Sequence, residues 1–316
     1  MPSRTPGPDE VVRLVYAARQ YYVERRTRVE IADRLGVSRF KVARMLEDAA
    51  KLGVVRFQIA SPGPVDADLS LALRERFGLR RAVVVRTPTQ DPPTVQEHLG
   101  EVAAGLLSEI VGPEDVVGMT AGRTLSQMAS RVRNLPRIQV VQLAGVAGFR
   151  QATGVEVIRR VSAAAGGRAW NLFAPILASD PAAADAIRRQ PETQATFQQF
   201  PRVTLALVAI GSWAPPDSEF VTNSALSAGD RKRLLAAGVR ADVGAVLLDG
   251  DGKPIDLLRD RCVAIDAAGL AGINEVIGVA GGEFKTDAVR AALASGLLNS
   301  LVSDKALAER LMGLPS

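Results

Sequence analysis

Side chains able to do covalent or metal chemistry are scarce in this chain. It has one histidine, His98, and one cysteine, Cys262, which excludes clustered zinc ligands and an internal disulfide. His98 sits in Val95-Gln-Glu-His-Leu-Gly-Glu101 and reads as a helix-surface residue rather than a general base. Cys262 opens the apolar stretch Cys-Val-Ala-Ile265 and reads as a packing residue. No Gly-x-Ser-x-Gly elbow, Walker loop or Cys-x-x-Cys pair occurs. Asp249-Gly-Asp-Gly252 lacks the further acids of a calcium loop and reads as a hairpin turn. No catalytic residue, metal or cofactor is therefore assigned. What remains is non-covalent recognition. Arg28, Ser38, Arg39, Phe40, Lys41 and Arg44 form one group suited to a polyanion, and the loop Thr120-Ala-Gly-Arg-Thr124 a second, suited to an anion or a sugar hydroxyl.

The elements that must position the first group follow from periodicity. Val11, Val12, Leu14, Val15 and Ala18 predict a helix through Tyr22. A second helix runs from about Val29 to Leu35, and Gly36 supplies the left-handed residue of a tight turn. Ser38 caps a third helix, with Val42, Met45, Leu46 and Ala49 on its inner face and Arg39, Phe40, Ala43 and Arg44 looking outward. The stretch Val29 to Leu46 is thus a helix-turn-helix, with Ile31, Leu35, Val37 and Val42 as a minimal core and Ala32 allowing close helix contact. Such a motif places the start of its last helix in the major groove. Arg39 and Arg44 are the candidate base readers there, while Lys41, Arg28 and Ser38 suit phosphates. The same arginines also fit a three-helix bundle with a solvated face. After Gly53, the alternation of Val55, Phe57 and Ile59 with Arg56 and Gln58 predicts a strand, a candidate wing.

Charge divides unevenly. Residues 1–60 hold 12 Lys/Arg against 7 Asp/Glu, and residues 61–316 hold 27 of each, so the whole net charge of +5 lies at the front. A basic small module joined to a neutral large one suits a chain whose first part meets a polyanion. The expected domains are 1–60 and 61–316, with Ser61-Pro-Gly-Pro64 as a linker. No apolar run spans a bilayer and Met1–Glu10 lacks the apolar core of a secretory signal, so a cytoplasmic location is expected. In the second domain, Leu69, Leu73 and Phe77 predict a helix and Ala82-Val-Val-Val85 a strand. Runs apolar on both faces, at Asp115-Val-Val-Gly118, Ile138 to Leu143, Val203 to Ile210 and Glu275 to Ala280, alternate with helical stretches. That pattern predicts a parallel sheet buried under helices, an α/β fold. Ligands meet such sheets at strand C-termini, which is where Thr120–Thr124 stands.

Beyond these local signals, the chain resembles the SorC type of sugar-responsive transcriptional regulators. The likeness rests on Tyr21-Tyr22-Val, Glu30-Ile-Ala, Leu35-Gly-Val-Ser-Arg, Arg44-Met-Leu and Gly53-Val-Val in the first part. It continues through Val116 to Leu125, Val140 to Gly145, Ala209-Ile-Gly-Ser-Trp213, Asp249 to Pro254, Ile277 to Lys285 and Leu301-Val-Ser-Asp304. The resemblance implies a winged helix-turn-helix followed by a Rossmann-like effector domain related to ribose-phosphate isomerases and glucosamine-phosphate deaminases. It also implies double-stranded operator DNA and a sugar, polyol or phosphorylated sugar as partners, self-association as dimers or tetramers, and no membrane. The effector contacts it implies add Gly145, Val146, Gly211, Ser212, Asp242 and Lys285 to Thr120, Gly122, Arg123 and Thr124.

Departures from the family pattern bear on the ligand. Ala144 stands where asparagine is common, Ala241 where glycine is usual, and Val146 where some members carry a reactive lysine, so no Schiff base forms there. Members that bind phosphorylated sugars tend to carry an arginine where this chain has Asn223-Ser-Ala-Leu226. An isomerase- or deaminase-like enzyme with an accessory DNA-binding domain is the alternative, and an architectural DNA-binding protein with an empty second domain is a third reading.

Overall fold

Hydroxyl caps and a left-handed glycine fix the first helices. The computed structural model describes residues 6–57, 62–147 and 154–314, and the chain divides into two compact units, Met1–Ala60 and Ser61–Ser316. In the first unit α1 (Pro8–Ala18) begins on a proline whose missing N–H would have had no helical partner, and its last turn widens into a π-turn over Arg19–Val23. Helix α2 (Arg28–Leu35) starts with a reciprocal cap. The Glu30 N–H donates to Thr27 Oγ1 at 3.3 Å and the Thr27 N–H to Glu30 Oε2 at 2.8 Å. Gly36, at φ 62°, ends it, and Ser38 Oγ accepts from the Lys41 N–H at 3.2 Å to open α3 (Arg39–Lys51). Leu14, Ala17, Ile31, Ala32, Val42, Met45 and Leu46 meet in one small core, with Leu35 and Val37 at its margin.

Of the wing strand expected over residues 55–59, the described part, residues 55–57, is not a strand. Residues 53–57 pass through turn, bend and irregular backbone with no ladder partner among the described residues, and the Phe57 ring, 64% exposed, lies edge-on to Tyr22 at 5.1 Å. Alternating polarity makes a strand only where a second strand is at hand to pair. Gln58–Ser61, which include Ile59 of that strand and the first linker residue, lie outside the described residues.

In the second unit α4 (Ala67–Phe77), β1 (Arg81–Val85), α5 (Pro92–Ile110), β2 (Val116–Met119), α6 (Arg123–Arg131) and β3 (Gln139–Gln142) lead into α7 (Gly154–Ala165), β4 (Ala169–Trp170), α8 (Pro181–Arg188) and α9 (Pro191–Phe197). Next come β5 (Leu205–Ser212), α10 (Ala228–Ala236), β6 (Val239–Val243), β7 (Val246–Asp249) and α11 (Ala267–Ala271), and then β8 (Glu275–Ala280), α12 (Thr286–Ala294), β9 (Ser300–Asp304) and α13 (Lys305–Met312). Seven strands run parallel in the order β1-β9-β8-β5-β2-β3-β4.

Side-chain alternation along the strands fills two layers. Leu205 and Leu207 of β5 pack with Leu99 and Leu107 of α5, Leu125 and Met128 of α6, and Val161 of α7. Ala206 and Val208 face the other way, onto Leu73 of α4, Val289 of α12 and Leu307 of α13. A hairpin, β6 and β7, pairs antiparallel onto the last residues of β5, with Gly211 opposite Asp242. The flanks are short. Strand β4 pairs over two residues, while outside β1 the Asp66 N–H donates to Val84 O at 2.8 Å and the Arg86 N–H to Pro64 O at 2.7 Å.

All three tyrosines, Tyr16, Tyr21 and Tyr22, lie in the first unit and both tryptophans, Trp170 and Trp213, in the second, so the two can be followed separately. Thr27→Ala removes the cap of α2 and is expected to cost the first unit about 1 kcal/mol. Urea unfolding by tyrosine emission should move to lower denaturant while the tryptophan transition stays in place.

Candidate functional site

The first candidate surface is the start of α3. Packing of Val42, Met45, Leu46 and Ala49 fixes the rotation of the helix and leaves Arg39, Phe40, Lys41 and Arg44 exposed. Ala43, expected on the outer face, is half-buried. Among the described residues no carboxylate pairs with Arg39, Lys41 or Arg44; the Arg39 guanidinium instead lies 5.0 Å from the Phe40 ring centre, and Phe40 is 66% exposed. Arg28, at the first position of α2, covers Tyr21 at 5.7 Å. Ser38 is occupied in capping α3. This leaves three cations with their charge uncompensated at a helix N-terminus, whose dipole adds positive potential.

The second is a cavity of about 350 Å³ over the C-terminal ends of β2 and β5. Strands β3 and β4 follow β2 on one side while β5 pairs on the other, so the loops after β2 and β5 part and leave a crevice. Thr120 ties the two strands together there: its N–H donates to Leu207 O at 3.2 Å and its Oγ1 accepts from the Ala209 N–H at 3.0 Å. Among the described residues the hydroxyl proton of Thr120 has no acceptor. Gly122 caps α6, which places Arg123 and the half-buried Thr124 on the first turn.

The hairpin supplies the other wall. Asp242 projects from β6 beside Gly211, where a Cβ would collide with the Asp242 carboxylate, so glycine there permits the close approach. Trp213 Nε1 donates to Asp242 Oδ1 at 2.9 Å. Burial pushes the Asp242 carboxyl above its ordinary value, against hydrogen bonds from Ser218 and Trp213 and the charge of Lys285, which pull it down. Lys285 reaches in from the turn before α12 and donates to Ile210 O at 3.0 Å. Between β6 and β7 Gly244 and Ala245 both adopt positive φ, 57° and 78°, as a two-residue hairpin requires. Ala245 holds this strained conformation at the cavity wall.

Eight of the ten expected effector contacts thus converge: Thr120, Gly122, Arg123, Thr124, Gly145, Gly211, Asp242 and Lys285. Val146 and Ser212 do not line the cavity. The Val146 backbone pairs with residues 174–176, and Ser212, fully buried one residue beyond Gly211, turns to the opposite side of β5 and donates to Pro215 O at 2.7 Å. Asp217 was not expected. It lies between Arg123 and Lys285, paired with both, and its distance from either in sequence left no spacing signal.

Elsewhere, Asp249–Lys253 forms a turn, with Asp249 Oδ1 accepting from the Asp251 and Lys253 N–H groups at 2.9 and 2.8 Å. His98 Nδ1 stands 2.9 Å from Thr94 O within α5, and burial pushes the Cys262 thiol up to about 12. Among the described residues no group of three or more His, Cys, Asp or Glu is placed to hold a metal, and no helix is long and apolar enough to cross a membrane.

Residues 65–313 match the Sugar-bind family, a sugar-binding domain. The chain is 29% identical over 302 residues to the transcriptional regulator LsrR of Klebsiella pneumoniae, covering 94% of this chain and 91% of that protein. It is 25% identical over 303 residues to the deoxyribonucleoside regulator of Bacillus subtilis, covering 94% and 96%. The structure is similar to that of the full-length sorbitol operon regulator SorC of Klebsiella pneumoniae, with a TM-score of 0.74 at 22% identity over 97% of this chain and 100% of that one. These relatives are regulators, not enzymes.

A carboxyl whose pKa is raised by folding binds its proton more tightly in the native state, so ionising it costs stability as pH rises from the ordinary 3.8 through the raised value. Asp242→Asn cannot ionise. Across that span it is expected to gain stability relative to the parent, read by urea unfolding on tryptophan emission at a series of pH values; a difference independent of pH would contradict the burial argument.

Proposed function

We propose, on the premise that this chain belongs to the Sugar-bind family of SorC-type transcriptional regulators, that its first unit reads operator DNA and that a carbohydrate held in the cavity controls how well it does so. The observation that carries this reading is the set of cations at the start of α3 that have no carboxylate partner among the described residues, in a chain whose other unit holds a cavity with hydroxyl and charged groups at a sheet switch point. Arg39 and Arg44 read base edges, each able to present two donors to a guanine, and Lys41 and Arg28 meet phosphates. Phe40 adds an apolar contact. Ser38 holds the helix start in place and offers its N-terminus to the backbone.

In the cavity, Thr120, Thr124 and the N–H groups around Gly122 engage ligand hydroxyls, while Asp242 and Lys285 hold the far side. A volume of about 350 Å³ suits a monosaccharide or polyol. Control requires the effector to favour one arrangement of subunits over another, so that the spacing of two reader units on the duplex changes. The protein therefore works as a dimer or a tetramer. Against the isomerase- or deaminase-like alternative stand relatives across nearly the whole chain that are regulators.

Arg39→Ala or Arg44→Ala is expected to weaken operator binding by about 1–3 kcal/mol and to relax base preference at one position. Lys41→Ala should lower affinity evenly across sequences and reduce the salt slope by about 1. Fluorescence anisotropy on upstream DNA at several salt concentrations separates the two, and binding without sequence preference in the parent would end the regulator reading. Thr124→Val, which deletes a hydroxyl with no structural partner, is expected to weaken the effector roughly tenfold at most, measured by calorimetry against free sugars and polyols.

A further inference from the structure

Among the described residues the cavity lining has two cations, and both are paired with one carboxylate. The Asp217 carboxylate accepts from the Arg123 guanidinium through one oxygen and lies 3.0 Å from Lys285 Nζ through the other. Arg123 also donates to the Asp217 carbonyl at 3.3 Å. The loop that delivers Asp217 is anchored, because its N–H donates to Ser212 O at 2.9 Å and Trp213 pairs with Pro216. Burial alone would raise the Asp217 carboxyl, but the charge of Lys285 and the hydrogen bonds from Arg123 and Lys285 outweigh it and hold it below its ordinary value. Side-chain exposure is 14% for Lys285, 20% for Asp217 and 43% for Arg123, so an anion approaching the ammonium competes with a carboxylate already seated on it.

The wider balance points the same way. The described ionisable residues lining the cavity are two cations, Arg123 and Lys285, against four carboxyls, Asp217, Glu219, Asp242 and Glu283. Even with Asp242 protonated, carboxylates outnumber cations among the described lining residues, Glu283 being paired outward with Arg310. A phosphate or carboxylate entering would have to evict Asp217 and face that excess, whereas a hydroxyl can share donors with the carboxylate already there.

We propose that Asp217 sets the effector class: it is a built-in counter-anion for Arg123 and Lys285 that makes the cavity select a neutral sugar or polyol over phosphorylated or acidic ones. This rests on the carbohydrate reading of the cavity and adds to it the identity of the discriminating residue. The full chain, Asp217→Asn, the smaller Asp217→Ser and the charge-retaining Asp217→Glu are titrated by calorimetry with free hexoses and hexitols, the 6-phosphates of the same compounds, and inorganic phosphate. The parent and Asp217→Glu are expected to bind a free compound at least about tenfold more tightly than its phosphate. Asp217→Asn and Asp217→Ser should gain about tenfold or more for inorganic phosphate and for the phosphorylated members. Binding with the same discrimination in parent, Asn and Ser variants, or a parent that already prefers the phosphate, overturns the role of Asp217 and leaves the carbohydrate reading in place. Failure of the parent to bind either member of any pair overturns the carbohydrate reading itself.

Discussion

The lateral pairing of β2 with β5 is the constraint from which the larger unit is built. Val117 and Met119 lie beside Leu205 and Leu207 in register, and the next residue along, Thr120, closes the pair with its backbone N–H and its hydroxyl. Because β3 follows β2 on the outer side, the chain travels through β3, β4 and the four helices α6 to α9 before returning as β5. The connections therefore leave this seam in opposite directions. A ligand site here needs no special sequence; it follows from strand order. What the sequence adds is chemistry at the rim: threonines on one side, an aspartate and a lysine on the other.

The two units treat positive charge in opposite ways. On α3 the arginines stand in solvent with no carboxylate partner, a state that costs little because water and salt screen them and that leaves their full charge for a polyanion. In the cavity Arg123 and Lys285 are partly or largely removed from water, and an unpaired ammonium there would be expensive. Asp217 meets that cost, at the expense of occupying the donors a ligand would otherwise use. The same residue types serve a permanent surface field in one place and a compensated, selective interior in the other.

Local signals carried much of this. The helix-turn-helix was legible because each of its steps is written in a single residue type, from the glycine at 36 to the hydroxyl at 38, with the apolar period of α3 behind them. The parallel strands were legible because runs such as Val203 to Ile210 are apolar on both faces. The part of the wing within the described residues, Val55 to Phe57, carries strand periodicity but finds no partner strand there. Val146 and Ser212 fall outside the cavity lining. Each sits one residue from a lining position, Gly145 and Gly211, and family resemblance at strand ends does not resolve which of two neighbours faces inward. Asp217 was invisible to any reading by spacing, since it meets Arg123 and Lys285 only after β5, its loop and the turn before α12 have been brought together.

The flanks of the sheet carry a consequence of their own. Strand β4 contributes two residues, and β1 is overlaid by the segment 64–66, whose backbone takes up carbonyl and amide groups along its outer side. An open row of amides on a flat, apolar β edge invites a stray chain to join it, which is how many soluble folds come to form fibrils. Here neither margin offers more than a few free positions. An interior of valine and leucine strands is thereby guarded against templated association at the two ends of its parallel sheet.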